Sequence, residues 1–269
     1  MFPTIFRRLS AALALAAGLA LAPVAFAPAA LAQTAPPFAP TQSLPRAEIE
    51  AIVKDYLLRN PEVLRDALIE LERRGKAEED AQRARALAQL RPKIFESSRQ
   101  VVIGNPQGKV TLVEFFDYNC GYCKRALEDL ASLMKKNPDL RVILKEFPVL
   151  GPGSIEAAQV AHALRMQVNG EKYWSFHQKL LSSRGQVGKA QAMAAAKDVG
   201  AVMARLERDL QSDEIRAGLQ EAMEIADALG LTGTPSYVVG DEVVVGAVGA
   251  ADLQSRIDNV RKCGRASCG

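Results

Sequence analysis

The sequence predicts an α/β domain, with helices layered against a β-sheet, preceded by an N-terminal helical region. Three observations lead to this prediction. Residues 46–90 carry apolar side chains at helical spacing, stretches rich in β-branched residues alternate with amphipathic stretches from about residue 100, and two short strands and a helix end the chain. This order of strand, helix, strand, helical block, two strands and helix is typical of a layered α/β architecture.

Residues 1–32 have the pattern of a secretory signal peptide. Two arginines precede a run of small and apolar residues, which ends at the small residues of "ALA" (30–32). We expect cleavage after Ala32, with Ala27 as an alternative site, and export to the periplasm. A membrane anchor is the competing interpretation, but prolines interrupt the apolar run, which falls short of the ~20 residues of a spanning helix.

The charge balance excludes some classes of partner. The whole chain has 34 basic and 31 acidic residues, and removal of the signal peptide, with its two arginines, leaves a net charge of +1. Such a balance favours neither nucleic acid nor an acidic membrane surface as a partner. The four cysteines are too few to build a fold from disulfides, so an ordinary apolar core is expected.

Residues 33–98 are expected to form a proline-rich flexible leader and two helices, at about 46–59 and 61–90. In the second helix, Gly75 and a thin apolar stripe predict a hinge or an exposed stretch. A helix this polar cannot be buried in a monomer core. Residues 46–90 therefore form either a solvated arm or a surface for homo-oligomerisation.

Residues 99–269 are expected to form the α/β domain. Its first strand is a continuous apolar run, as expected of a strand buried on both faces. The predicted elements are strands at 110–118 and 140–149, a helical block at about 153–228, two strands within 233–249, and a helix near 250–262.

Two of the cysteines lie two residues apart at the junction of the first strand and a helix, in Cys120-Gly121-Tyr122-Cys123. The free N–H groups and partial positive charge at a helix N-terminus stabilise an anion, so Cys120 is predicted to be a thiolate of low pKa. Cys123, one turn further on, is close enough to form a disulfide with it. The pair suits thiol–disulfide exchange, in which Cys120 attacks and Cys123 resolves. The spacer residues Gly121 and Tyr122 bring no charge that would stabilise the thiolate further.

From about residue 100 onward, the chain resembles the thioredoxin superfamily in its DsbA-like branch. The matching features are "EFFDYNCGYCK", "KEFPVLGPGS", the helical block and "GTPSYVVG". The resemblance implies a thioredoxin-like fold with a helical insertion and a redox-active CxxC centre. The CGYC and Thr-Pro combination resembles disulfide isomerases such as DsbC. The helical extension resembles the ScsC group, whose members can be oligomeric and connected with copper tolerance.

The resemblance also implies roles for three further residues. Thr234-Pro235 matches a cis-proline that faces the active site, where the Thr234 backbone would bind an extended substrate as an added strand. Glu114 matches a buried acid that accepts or relays a proton for Cys123, and a desolvated carboxylate would have the raised pKa that this task requires. The alternative for Glu114 is an acid at the sheet edge, paired with Lys145.

The second cysteine pair, Cys263 and Cys268, lies at the C-terminus and outside these motifs. Its short spacer favours a local, structural disulfide. Alternatives are a reducible accessory pair, a copper(I) site, or a zinc site formed together with Cys120 and Cys123. We expect no cofactor and no resident metal.

The chain has two histidines, and neither is expected to be catalytic. His162 lies in an apolar helix and is interpreted as a packed residue, and His177 as a residue of the core or of a groove. A Cys–His protease arrangement is therefore not supported.

The predicted function is that of a periplasmic thiol–disulfide oxidoreductase, which acts on exported cysteine-containing client proteins and has a membrane redox partner. Isomerase or reductase activity is favoured, because an oligomer would turn several active sites towards one misfolded client. The alternatives are a DsbA-type dithiol oxidase and a copper-handling protein that binds metal through its thiols.

Overall fold

The structure, a computed structural model, describes residues 44–269. The chain divides into one compact unit that ends at Asn60 and a second, Pro61–Gly269. The predicted signal peptide and its cleavage sites lie outside the described residues, as does most of the proline-rich leader. None of the described helices is long and apolar enough to cross a membrane.

In the first unit, helix α1 (Arg46–Arg59) has no buried residue in the single chain. Its apolar residues occur at helical spacing and form an exposed face: Ile49, Ile52, Val53 and Tyr56 are each about half exposed. An isolated helix of this length is only marginally stable in water.

The second unit begins with helix α2 (Glu62–Phe95), which runs for 34 residues without a break at Gly75. Glycine costs a helix about 1 kcal/mol relative to alanine, but strong helix formers surround it here. Glu70 also pairs with both Arg73 and Arg74 in the turn before it. The stretch around Gly75 is therefore exposed helix, and the predicted hinge is absent from this structure.

A five-stranded sheet forms the centre of this unit, in the order β1-β3-β2-β4-β5. Strands β2 and β3 are parallel and the other neighbours are antiparallel. The strands are β1 (Val101–Gly104), β2 (Val110–Phe116), β3 (Leu140–Glu146), β4 (Ser236–Val239) and β5 (Glu242–Val245). The predicted thioredoxin-like fold with a helical insertion is thus confirmed. The sequence analysis missed β1, a strand of four residues at the edge of the sheet.

The remaining helices follow the predicted order. Helix α3 (Gly121–Lys136) connects β2 to β3, and α9 (Ala250–Cys263) follows the last strand. The insertion between β3 and β4 contains five helices: α4 (Pro152–Leu164), α5 (Gly170–Leu181), α6 (Lys189–Asp198), α7 (Met203–Asp209) and α8 (Asp213–Ala228).

The two faces of the sheet pack against different helices. Because side chains alternate along a strand, Leu112 and Phe116 of β2 face one core while Val113 and Phe115 face the other. The first core contains residues of α3, α9 and the helices α4–α6. The second contains residues of α2 and α8. Strand β2 is therefore buried on both faces, as its apolar run predicts.

The end of α2 belongs to the second core. Leu87, Ile94 and Phe95 are buried there, although the sequence analysis assigned residues up to 98 to the N-terminal region. The reason is that the sheet face opposite α3 needs a cover, and the last turns of α2 provide it together with α8. A chain cut at residue 99 would expose this face.

The substitution Ile94→Ala tests this packing. Ile94 is fully buried, so its truncation should lower the free energy of unfolding by about 2–5 kcal/mol. Ile155→Ala is the matched control, since Ile155 is 44% exposed and its truncation should cost far less. Urea unfolding measures both, and equal losses would contradict the packing of α2 on the sheet.

Candidate active site

The two cysteines of the CxxC motif occupy the first turn of α3. Cys120 is the N-cap residue and Cys123 lies one turn inside the helix. The Cys120 side chain is almost buried and the Cys123 side chain is completely buried, and no disulfide joins them in this structure. The junction of strand and helix therefore places the pair as the sequence analysis expects.

Cys120 lies against the segment that precedes β4. Its Sγ donates a hydrogen bond to the main-chain oxygen of Thr234, at 3.1 Å. The peptide bond between Thr234 and Pro235 is cis. Strand β4 pairs with β2 in the antiparallel direction, and this pairing brings Thr234 to the end of β2 where α3 begins. Cys120, Thr234 and Pro235 are thus neighbours in space.

The pKa of Cys120 is lowered to about 5. The largest cause is a hydrogen bond with the Cys123 side chain, which stabilises the Cys120 thiolate. Partial burial acts in the opposite direction. Hydrogen bonds from the Thr234 side chain and from the main-chain N–H groups of Cys123 and Tyr122 lower the pKa further. At neutral pH, Cys120 is therefore mainly an anion and a nucleophile.

Cys123 has the opposite character. Its pKa is raised, first because its thiol donates the hydrogen bond to Cys120, and then because of burial and the nearby charge of Glu114. Deprotonation would place a second negative charge next to the Cys120 thiolate in a site without water contact. Cys123 therefore keeps its proton until the charge on Cys120 is removed.

Glu114 lies on β2, on the same sheet face as the two cysteines. It is 2% exposed, and its Oε2 has no hydrogen-bond partner among the described residues. Desolvation, with a smaller contribution from the charge of Cys120, raises its pKa to about 8. A carboxyl group in this state can accept or release a proton near neutral pH.

The alternative pairing of Glu114 with Lys145 is absent from this structure. Glu114 lies on the central strand of the sheet, opposite Leu144 of β3, so Lys145 projects from the other face. There the Lys145 amino group donates a hydrogen bond to the main-chain oxygen of Lys93, at 2.9 Å. It therefore caps the C-terminal end of α2.

The spacer residues are exposed, and one of them contacts a cation. The Tyr122 side chain is 58% exposed, and the Arg125 guanidinium lies 4.3 Å from the centre of its ring. No atom lies within 4 Å of the position that a Cβ on Gly121 would take. The sequence analysis missed Arg125, whose three-residue spacing from Tyr122 on a helix was the available signal.

Two polar residues before Cys120 were also missed. Asp117 and Asn119 hydrogen-bond to loops of the helical insertion. Their position in "FFDYNC", directly after a buried apolar strand, was the one available signal.

The two histidines are fully buried and lie apart from the thiols. His177 contacts the Tyr118 hydroxyl at 3.4 Å, and burial lowers its pKa to about 3. His162 accepts a hydrogen bond from the Arg165 guanidinium. The Nδ1 atom of His162 also lies 3.5 Å from the Glu146 carboxylate. Both histidines are therefore buried side chains of the core, in line with their interpretation as packed residues.

The structure joins Cys263 and Cys268 in a disulfide at the end of α9. The main-chain N–H of Ala266, inside this small loop, donates to Asp241 in the turn after β4. That turn is at the opposite end of β4 from Pro235, so the second pair lies away from Cys120. Bonded to each other, its sulfurs are not thiolate ligands. Within residues 44–269, no group of three or more His, Cys, Asp or Glu side chains is arranged to hold a metal ion.

The pKa of Cys120 makes a prediction about pH. In the reduced protein, the ultraviolet absorbance of the thiolate should titrate with a midpoint of about pH 5 and should be absent in Cys120→Ser. Since the pKa is lower in the folded than in the unfolded chain, the thiolate stabilises the folded reduced protein. This stabilisation is complete above the pKa of the unfolded thiol and is lost as the pH falls through about 5. A midpoint near the ordinary thiol value would contradict the assignment.

Comparisons with known proteins agree with this geometry. A family model described as "Thioredoxin" matches residues 96–259, and one described as "Copper resistance protein ScsC N-terminal domain" matches residues 46–78. A thioredoxin-like oxidoreductase from Silicibacter pomeroyi is 40% identical and superimposes with a TM-score of 0.60, over 64% of this chain and 98% of that chain. Proteus mirabilis ScsC in a compact conformation is 30% identical, with a TM-score of 0.62, over 81% and 99%.

Curated relatives include the thiol:disulfide interchange protein DsbA of Bordetella pertussis, which is 24% identical over 143 residues, 52% of this chain and 68% of DsbA. The Na(+)/H(+) antiporter NhaA 1 of Salinispora arenicola is 26% identical over 167 residues, 59% of this chain. The chain spans about a quarter of that antiporter's length. With a CxxC centre at the start of α3, a cis-proline beside it and an ScsC-type segment before it, the chain belongs to the thioredoxin superfamily, in its DsbA-like, ScsC-type group.

Proposed function

We propose that this protein is a periplasmic thiol–disulfide oxidoreductase that rearranges disulfides in exported client proteins. The observation that carries the proposal is the opposite protonation of its two cysteines: Cys120 is held as a thiolate, and Cys123 as a thiol. One sulfur is ready to attack a disulfide, and the other stays inactive until the first has reacted.

The reaction begins when the Cys120 thiolate attacks one sulfur of a client disulfide. A mixed disulfide forms between Cys120 and the client, and the other client sulfur leaves as a thiolate. If that thiolate attacks a second disulfide of the client, and a client thiolate finally displaces Cys120, the disulfides are rearranged without net oxidation or reduction. This reaction requires Cys120 in its reduced state.

If rearrangement stalls, Cys123 resolves the complex. Its proton passes to the Glu114 carboxylate, and its sulfur attacks Cys120 Sγ. The products are the Cys120–Cys123 disulfide and a client reduced by two electrons. Formation of the mixed disulfide removes the charge of Cys120, which is one of the two causes that raise the pKa of Glu114. Glu114 therefore loses its proton more readily, and becomes a better proton acceptor, at the step where Cys123 must lose its proton.

The client contacts that we propose surround Cys120. An extended client segment would pair with the backbone at Thr234, and apolar client side chains would meet exposed Tyr122, Val149 and Leu150. A membrane redox partner, of unknown identity, would return Cys120 and Cys123 to the reduced state after each resolution.

Self-association through residues 46–90 would favour isomerase action. Apolar side chains are exposed on α1 and, separately, on the first turns of α2: Val63, Leu64, Leu68, Ile69 and Leu71. An exposed apolar surface of this kind on a helix requires a partner. Copies joined there would present several Cys120 thiolates to one misfolded client, whereas a monomer would suit a DsbA-type oxidase.

A copper-handling function finds less support in the residues. The segment that matches the "Copper resistance protein ScsC N-terminal domain" contains no Cys, His or Met, so it has none of the soft ligands of copper. Of the two free cysteines, Cys123 is a poor ligand because it retains its proton.

The experiment that tests the proposed function compares the mature chain with a chain that begins at Glu79. The shorter chain lacks the exposed apolar residues of α1 and α2 but keeps Leu87, Ile94 and Phe95 for the core. Both should exchange disulfides with a small peptide, but only the mature chain should reactivate a client with scrambled disulfides. Cys120→Ser should do neither. Peptide exchange without reactivation by the mature chain would exclude the isomerase and leave a one-way oxidoreductase.

A second prediction concerns Glu114. The substitution Glu114→Gln should slow the release of a client from a preformed mixed disulfide by about 10²-fold, because the proton acceptor for Cys123 is lost. In the wild type, release should become faster as the pH rises through the pKa of the carboxyl group, since only the carboxylate accepts a proton. Rapid acid quenching at several pH values measures this rate.

The matched control is Glu146→Gln, which changes a buried carboxylate on β3 that is hydrogen-bonded to Tyr173 and not to the thiols. It should leave the rate of release unchanged. If Glu114→Gln releases the client as fast as the wild type, another group accepts the proton.

A further inference from the structure

Asp117 is a buried acid at the end of β2 that the exchange steps do not use. It is 1% exposed, and both carboxylate oxygens are saturated with hydrogen bonds. Oδ1 accepts from the main-chain N–H of Asn119 at 2.8 Å and from the Ser154 hydroxyl at 2.7 Å. Oδ2 accepts from the main-chain N–H groups of Val149 at 2.9 Å and Leu150 at 3.0 Å.

Asn119 adds three hydrogen bonds to this group. Its Nδ2 donates to the Ser154 hydroxyl at 3.0 Å and to the main-chain oxygen of Val187 at 2.9 Å. Its Oδ1 accepts from the main-chain N–H of Val187 at 2.6 Å. The backbones are also closely packed, since a Cβ on Gly153 would lie 2.9 Å from the Val187 oxygen. We call Asp117, Asn119 and Ser154 the polar clasp.

The polar clasp is connected directly to Cys120. The main-chain oxygen of Asp117 accepts the N–H of Cys120 at 3.0 Å, which closes a tight turn over residues 117–120. On one side, this turn is fixed by the polar clasp to two loops of the insertion. On the other side, it presents Cys120 to the start of α3 and to the Thr234 oxygen.

We propose that Asp117 is a positioning residue for disulfide exchange. Its hydrogen bonds join the active-site turn to the start of α4 and the loop before it, and so fix Cys120 where α3 and Cys123 stabilise a thiolate. The proposal depends on the proposed function only for the role of Cys120 as the attacking group. A carboxylate suits the task because it only accepts hydrogen bonds and here meets four donors. An amide at this position would direct its own N–H groups at one pair of these donors.

The positioning role of Asp117 and the effect of its negative charge can be distinguished, because loss of each shifts the pKa of Cys120 in the opposite direction. The titratable groups that face Cys120 are Cys123 on α3, Glu114 on β2 and Tyr237 on β4. Removal of a nearby negative charge favours the thiolate and lowers the pKa of Cys120. Displacement of Cys120 from its hydrogen-bond donors disfavours the thiolate and raises the pKa.

The test is a thiolate titration of the reduced mature chain carrying Asp117→Asn. We expect the midpoint of the Cys120 titration to rise by at least about one pH unit. At a given pH, this shift lowers the ratio of thiolate to thiol about tenfold. A fall would assign the effect to charge alone, and an unchanged midpoint would assign Asp117 a purely structural role. Either result overturns the proposal.

Two further variants keep the test decisive. Ser154→Ala leaves the charge of Asp117 in place and removes one hydrogen bond from Asp117 and one from Asn119, so it should produce a smaller rise. If Asp117→Asn fails to fold, an unchanged midpoint in Ser154→Ala overturns the proposal.

Asn137→Ala is the control, because Asn137 is a buried, hydrogen-bonded amide at the far end of α3 and its loss should not move the midpoint. Failure of the proposed function would differ, since it would appear as peptide exchange without reactivation of a scrambled client, whatever the midpoint of Asp117→Asn.

Discussion

The hydrogen bond between the Cys120 and Cys123 side chains is the interaction on which the chemistry of this protein depends. It is the largest single cause of the low pKa of Cys120 and also the largest cause of the high pKa of Cys123. The two sulfurs thereby share one proton, which remains on the buried sulfur of Cys123. The same interaction therefore creates the nucleophile and delays the resolving group, and it ends when Cys120 forms a bond to a client.

Strand β2 imposes the constraint that makes this possible. Its two-residue alternation puts Glu114 on the face of α3, between Leu144 and Tyr237 of the neighbouring strands. If the register of β2 shifted by one residue, Glu114 would lie on the sheet face that packs against α2. An apolar side chain would then face the thiols. The strand ends at Phe116, and the turn over residues 117–120 leads into α3, for which Cys120 is the N-cap. The proton acceptor Glu114, two members of the polar clasp and the nucleophile Cys120 thus lie within the seven residues 114–120 of one strand and turn.

The sequence predicts the parts of this site that depend on local structure. A buried strand followed by CxxC and a helix identifies Cys120 and Cys123 and their order of reaction, and the resemblance to the thioredoxin superfamily adds Glu114, Thr234 and Pro235. The contacts of Asp117 could not be predicted in this way, because Val149 and Ser154 are more than thirty residues away along the chain. Such contacts follow from tertiary packing and leave no periodic pattern.

The same limit applies to α2. Its charged composition predicts an exposed helix, which is correct for most of its length, but the burial of Ile94 and Phe95 depends on a sheet face that the sequence alone does not locate. Lys145 is a related case: its side chain is buried, and its amino group reaches the end of α2, 52 residues away in sequence.

The most direct measurement of the central claim is a brief alkylation of the reduced mature protein with iodoacetamide at about pH 6, followed by peptide mass spectrometry. Only a thiolate reacts at an appreciable rate, and at this pH Cys120 is above its pKa of about 5 while Cys123 keeps its proton. The account predicts modification of Cys120 with Cys123 unmodified. Equal modification of the two cysteines, or preferential modification of Cys123, would contradict it.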